Sequence, residues 1–91
     1  MPQLTWPEIA DWIANVERLA RNKSNRARQL IREHGAAGVP IANRMFRDVG
    51  RAFRILHSLD LMGGMSCETY ETRLSFASDM AAWPRHITTN N

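Results

Sequence analysis

The sequence predicts a small all-α protein: a three-helix domain with a long N-terminal helix. Apolar residues recur every three or four positions through most of the chain, which is the spacing of amphipathic helices. A capping-box pattern precedes the first of these segments, and glycines follow the first and the second. Ninety-one residues form one domain, 1–91, with a single modest hydrophobic core.

The first predicted helix spans about residues 6–34. Thr5-Trp6-Pro7-Glu8 has the form S/T-x-x-E with a proline in the first turn, so the helix begins near Trp6. The apolar residues that follow at helical spacing are Ile9, Trp12, Ile13, Val16, Leu19 and Ala20. Gly35 ends the helix, which is roughly 40 Å long at 1.5 Å per residue.

One segment inside this helix has the composition of a loop. Asn22-Lys23-Ser24-Asn25 is polar, and Ser24 would suit the N-cap of a separate helix, giving four helices in all. The phase of the apolar residues favours a continuous helix. At about 100° per residue, Ala27 and Leu30 fall on the same face as Ile9. A loop would have no reason to preserve that phase, so we expect one unbroken helix.

The second predicted helix spans about residues 40–61. It follows a loop rich in glycine and alanine, and Pro40 suits its first turn. Its apolar stripe consists of Ile41, Met45, Val49, Ala52, Phe53, Leu56 and Leu59. Gly63-Gly64 breaks the chain after the stripe ends.

Residues 66–83 fit two alternatives. Four residues alternate as they would in a strand: Tyr70, Thr72, Leu74 and Phe76. However, Ser66 is a suitable N-cap, and apolar residues in the same segment also recur at helical spacing. The length of the segment and its Ala81-Ala82 pair favour a third helix, which Pro84 would end. Residues 85–91 then form a polar tail.

Charge is unevenly distributed along the chain. From Arg18 to Arg54 there are ten basic residues and only two acids, Glu33 and Asp48, which gives a net charge of +8. The other residues include two basic and seven acidic ones, for a net charge of −5, so the whole chain has only +3. A basic centre between acidic ends is typical either of a surface for a polyanion or of a solvated basic face.

The arginines of this basic segment form two rows at helical spacing. The first row, which requires a continuous first helix, comprises Arg18, Arg21, Arg28 and Arg32. The second row comprises Arg44, Arg47, Arg51 and Arg54. The second row occupies an arc of about 80° opposite the apolar stripe of its helix. Because the planar guanidinium of arginine pairs with phosphate and carboxylate in a bidentate way, we predict that these eight residues contact nucleic acid or an acidic partner.

Residues 41–56, IANRMFRDVGRAFRIL, resemble the helix-turn-helix motif of DNA-binding regulators. In that family an I-A-x-R-L opening leads through a tight turn into a recognition helix that ends R-I-L. The resemblance implies that Arg44 and Arg51 lie near phosphates. The residues it places at base edges are Asp48, Val49, Gly50, Phe53 and Arg54. Phe46 and Arg47 depart from the family's turn, which usually has a glycine and then an apolar residue. The periodicity favours one straight helix here.

The residues able to catalyse reactions or bind metals form no recognisable group. His34, His57 and His86 share no ligand spacing with one another or with Cys67, the only cysteine. Gly63-Gly64 lacks a phosphate-binding pattern. We therefore expect no enzyme, no metal and no cofactor.

These observations predict a non-enzymatic nucleic-acid-binding protein, such as a small transcriptional regulator or a phage or plasmid regulator. The alternative is a small adaptor or phage-type inhibitor that docks on an acidic surface of a host protein or nucleoprotein complex. Anti-CRISPR proteins are similar to this chain in size and type, with no shared motif. Association into a homodimer through the apolar stripes is a third alternative. Since the chain has a single cysteine, no apolar run of 18 residues and no start typical of a signal peptide, we expect a cytoplasmic protein without membrane contact.

Overall fold

The computed structural model describes residues 5–61 and 67–82. Its helices are α1 (Trp6–His34), α2 (Val39–Leu61) and α3 (Cys67–Ala81), and a short 3-10 turn (Gly35–Gly38) joins α1 to α2. The described residues contain no strand, so the predicted all-α fold with a long N-terminal helix is confirmed. The predicted N-cap Ser66, the Gly63-Gly64 break, Pro84 and the tail 85–91 lie outside the described residues.

The ends of α1 have the local structure that the sequence predicts. Thr5 Oγ1 accepts a hydrogen bond from the Glu8 backbone N–H at 3.4 Å, and Glu8 Oε1 accepts one from the Thr5 backbone N–H at 3.0 Å. At the other end Gly35 has a φ of 57°, a conformation that side chains with a Cβ rarely adopt. These two features set where α1 begins and ends, and the helix runs unbroken through residues 22–25.

Lys23 explains why the polar segment 22–25 stays helical. The residue is only 3% exposed, and its Nζ donates hydrogen bonds to Asp48 Oδ2 at 3.2 Å, to the Met80 carbonyl at 2.8 Å and to the Ala82 carbonyl at 2.9 Å. A lysine ammonium has three N–H donors, so all three are used. Two of the acceptors are carbonyls at the end of α3, where a helix has no internal donors left for its last turn. Lys23 therefore connects all three helices.

The three helices pack side by side, with α1 and α2 antiparallel across the short turn. Trp6 packs edge-on against Tyr70 with ring centroids 5.3 Å apart, and Trp12 Nε1 donates a hydrogen bond to Ser78 Oγ at 2.8 Å. Since Lys23 then meets the C-terminal end of α3, α3 runs in the same direction as α1. Tyr70 also donates a hydrogen bond to the Leu59 carbonyl at 3.3 Å, which places the start of α3 beside the end of α2.

The core is built largely from small side chains. Six of the fourteen buried apolar residues among those described are alanines: Ala20, Ala27, Ala42, Ala52, Ala77 and Ala81. The predicted apolar stripe of α2 is buried at Met45, Val49 and Leu56, but Ile41 is 43% exposed and its neighbour Ala42 is buried instead. The prediction for Ile41 was therefore wrong by one position, because helix packing selects the small residue where two backbones approach closely.

The corner between α1 and α2 depends on Gly38. A Cβ built on this residue would lie 2.5 Å from the backbone carbonyl oxygen of Leu30, closer than any real contact of this kind. The corner therefore has room for no side chain at this position, and Gly38 fixes how α2 returns along α1.

The segment that fitted either a strand or a helix is helical. Residues 67–81 form α3, in which Leu74, Ala77 and Ala81 are buried on one face. Phe76, which a strand would place on the same face as Leu74, is instead 63% exposed. The strand alternative is therefore wrong.

Candidate functional site

All eight arginines proposed from the sequence are exposed, and four of them lie along α2. This α2 row consists of Arg44, Arg47, Arg51 and Arg54. The four residues span about 15 Å along the helix axis and an arc of about 80°. The opposite side of α2 carries buried residues such as Val49 and Leu56, so the core holds the helix beneath the row.

The α2 row has no acidic partner among the described residues. None of its four arginines forms an ion pair or side-chain hydrogen bond there, whereas the nearest acid on the same helix, Asp48, is bound to Lys23. The other acid of the basic segment, Glu33, pairs with Arg26 at 3.5 Å and accepts a hydrogen bond from Gln29 at 3.2 Å. The two acids of the basic segment therefore pair with Lys23 and Arg26, and not with the α2 row.

The α1 row, Arg18, Arg21, Arg28 and Arg32, exists because α1 is continuous. Three of its members have contacts within their own helix. Arg18 donates a hydrogen bond to Asn15 Oδ1 at 2.6 Å, Arg28 donates one to Asn25 Oδ1 at 3.3 Å, and Arg21 lies 3.6 Å from Glu17 Oε2. Exposed contacts of this kind contribute little to stability, but they partly satisfy the guanidinium groups.

The two arginine rows lie on different helices, α1 and α2. Arg21 follows Glu17 by one helical turn, and Glu17 lines a depression with Phe53 of α2. The α1 row therefore lies on the side of α1 that carries Glu17. In contrast, Arg51 and Arg54 border α3 across a groove between α2 and α3.

That groove contains a residue that the sequence did not assign to any site. It has a volume of ≈ 290 Å³, and its lining consists of Arg51, Arg54, Ile55, Ser58, Phe76 and Met80. Phe76 is the most exposed of the large apolar side chains among the described residues. Phe76 follows Leu74 by two residues, which is about 200° around a helix, so it lies off the buried face of α3. The sequence indicates this exposure only if the segment is taken to be helical.

The backbone of α2 is bare at the centre of its arginine row. Gly50 lies between Arg47 and Arg54 on the exposed face, and a Cβ built on it would meet no atom within 4 Å. Packing therefore does not require a glycine here, although glycine costs about 0.5–1 kcal/mol inside a helix relative to alanine. The missing side chain leaves a shallow depression that a ligand can approach closely.

The segment that resembles a helix-turn-helix motif is part of one continuous helix. Residues 41–56 lie within α2, and Phe46 and Arg47, at the position of the family's turn, are both helical. This agrees with the straight helix that the periodicity favours. Within the described residues, no group of three or more His, Cys, Asp and Glu side chains is arranged to hold a metal ion. None of the described helices is both long enough and apolar enough to cross a membrane.

Comparison of the chain with models of protein families, with curated proteins and with solved structures gives no match.

Proposed function

We propose that this protein is a non-enzymatic nucleic-acid-binding protein, and that the α2 row supplies its phosphate contacts. The observation that carries this proposal is a row of four exposed arginines on one helix, without an acidic partner among the described residues. Four like charges at intervals of three and four residues repel one another by a few tenths of a kcal/mol per pair, so the row destabilises the free helix slightly. An anionic ligand removes that repulsion.

The geometry of the row suits a phosphate backbone. Arginine binds phosphate through two parallel N–H donors, and a row about 15 Å long can contact several phosphates of one strand. The core fixes the opposite side of α2, so binding does not require the helix to form or move. The bare backbone at Gly50 allows the ligand to approach between Arg47 and Arg54. A small transcriptional, phage or plasmid regulator would use such a surface for the part of its nucleic-acid affinity that does not depend on base sequence.

The experiment compares two double variants with the same change in net charge. Arg47→Glu/Arg51→Glu reverses the centre of the α2 row, and Arg28→Glu/Arg32→Glu does the same in the α1 row. We expect the first to abolish binding to random-sequence oligonucleotides at low salt and the second to weaken it less, because Arg28 already has a hydrogen-bond partner, Asn25, in its own helix. In the wild type, log K should fall against log salt with a slope of about −3 to −4 if four phosphates are neutralised.

Two results would contradict the proposal. The wild type could fail to bind any DNA or RNA at low salt, or both double variants could lose the same affinity. The second result would show that net charge alone, rather than the α2 row, determines binding.

A second candidate is an adaptor or phage-type inhibitor that docks its basic surface on an acidic protein. The observation in its favour is that Val39 and Ile41, at the start of α2, are large apolar residues left exposed. A phosphate group makes no favourable contact with such residues, whereas protein interfaces bury them. Purification from nuclease-treated host lysate distinguishes the two candidates, since a stoichiometric protein partner that survives nuclease supports the second. Sedimentation at two concentrations shows whether that partner is a second copy of the chain.

A further inference from the structure

The groove between α2 and α3 joins an exposed aromatic ring to the arginine row. Phe76 of α3 is 63% exposed, although burial of a phenylalanine is normally favourable. The groove beside it is lined by Ile55 and Met80, with Arg51 and Arg54 at its α2 edge. The ring therefore lies next to two of the four cations of the α2 row.

The groove is small for a ligand-binding site. Its volume of ≈ 290 Å³ lies just below the range of about 300–1,000 Å³ in which drug-sized ligands bind. Three of its six lining residues, Ile55, Phe76 and Met80, are apolar, and its two charged residues, Arg51 and Arg54, have no ion-pair partner among the described residues. A planar aromatic base attached to an anionic backbone matches both the apolar part of the lining and the charge of the groove.

We propose that this groove binds an unpaired base of a single-stranded nucleic acid, stacked on Phe76, while Arg51 and Arg54 hold the adjoining phosphates. This inference rests on the proposed function and assigns its ligand class. Proteins that bind single strands combine a positively charged path for the backbone with aromatic rings on which bases stack. In a duplex, both faces of each base are already covered by its neighbours, so a duplex can use the arginines but not Phe76.

The test measures binding of the wild type and three variants to a single-stranded oligonucleotide and to a duplex of the same length, at low salt. Phe76→Leu keeps an apolar side chain but removes the aromatic ring, and the exposure of residue 76 leaves the fold intact. Trp6→Leu is the matched control, since Trp6 is also exposed, at 55%, but lies on α1 away from the α2 row. We expect Phe76→Leu to lower single-strand affinity about 5- to 100-fold and to leave duplex affinity unchanged. Phe76→Trp should restore single-strand binding.

The possible results separate this inference from the proposed function. Equal loss or no loss of affinity for both ligands in Phe76→Leu would overturn the stacking role and leave the proposed function standing. Absence of any oligonucleotide binding by the wild type would overturn both. Binding of an acidic amphipathic peptide in place of oligonucleotides, lost in Phe76→Leu, would assign the groove to a protein partner instead.

Discussion

Lys23 Nζ lies 3.2 Å from Asp48 Oδ2, and this ion pair engages the acid that lies nearest to the α2 row on the same helix. Lys23 is buried, and the Asp48 side chain is partly exposed at 37%. The same lysine holds the last carbonyls of α3. One side chain thus anchors the third helix and pairs with the acid that lies nearest to the α2 row.

Replacing Lys23 with methionine should destabilise the fold by about 1–3 kcal/mol, because the carbonyls of Met80 and Ala82 lose a charged donor. Methionine fills a similar volume, so the loss reports mainly on the hydrogen bonds. Urea unfolding measures the change in midpoint. The control is Arg21→Met on the same helix, which removes an exposed charge and should change stability by less than about 0.5 kcal/mol. Equal effects of the two variants would show that the buried ammonium contributes nothing specific.

Two glycine substitutions should change stability in opposite directions. Gly50→Ala should stabilise the protein by about 0.5–1 kcal/mol, since a Cβ there meets no atom and alanine is the better helix former. Gly38→Ala should destabilise it by about 1–3 kcal/mol, because the added Cβ would lie 2.5 Å from the Leu30 carbonyl oxygen. Thermal unfolding of both variants checks the prediction. A Gly38→Ala protein as stable as the wild type would mean that the corner can shift without cost.

The capping box at the start of α1 should make stability depend on pH in acid. The Glu8 carboxylate accepts hydrogen bonds from the backbone N–H of Thr5 and from its side-chain hydroxyl. These two bonds, with the backbone bond contributing more, hold the pKa of Glu8 below its usual value. Because the pKa of Glu8 is lowered in the folded protein, its contribution to stability is complete above the usual pKa of a glutamate. That contribution is lost as the pH falls through the lowered pKa. Unfolding measured across that acidic range should show a smaller decrease for Glu8→Gln than for the wild type. Identical curves would exclude a contribution from Glu8.

The helices could be predicted from the sequence because their signals are local. Thr5 and Glu8 mark the start of α1, Gly35 marks its end, and the phase of Ala27 with Ile9 predicts continuity between them. The α2 row could be predicted for the same reason, since the spacing within one helix needs no knowledge of its neighbours.

The parts that could not be predicted depend on how the helices pack. Lys23 lies in a segment with the composition of a loop, and only its phase, shared with Ala20 and Ala27, indicated burial. Nothing in the sequence shows which flank of α2 faces α3, so the approach of Phe76 to Arg51 could not be derived. For the same reason the sequence left open whether the two arginine rows share a face.

The alanines of the core have a consequence for the surface above them. Ala52 of α2 and Ala77 of α3 belong to the same buried cluster, and helix axes approach most closely where side chains are smallest. The size of these two buried side chains therefore determines the separation of α2 from α3. It also determines the distance from Arg51 to Phe76 across the groove. A single larger side chain at either alanine would widen the groove while every residue lining it stayed the same, so the shape of the proposed base-binding groove can change through positions that do not line it.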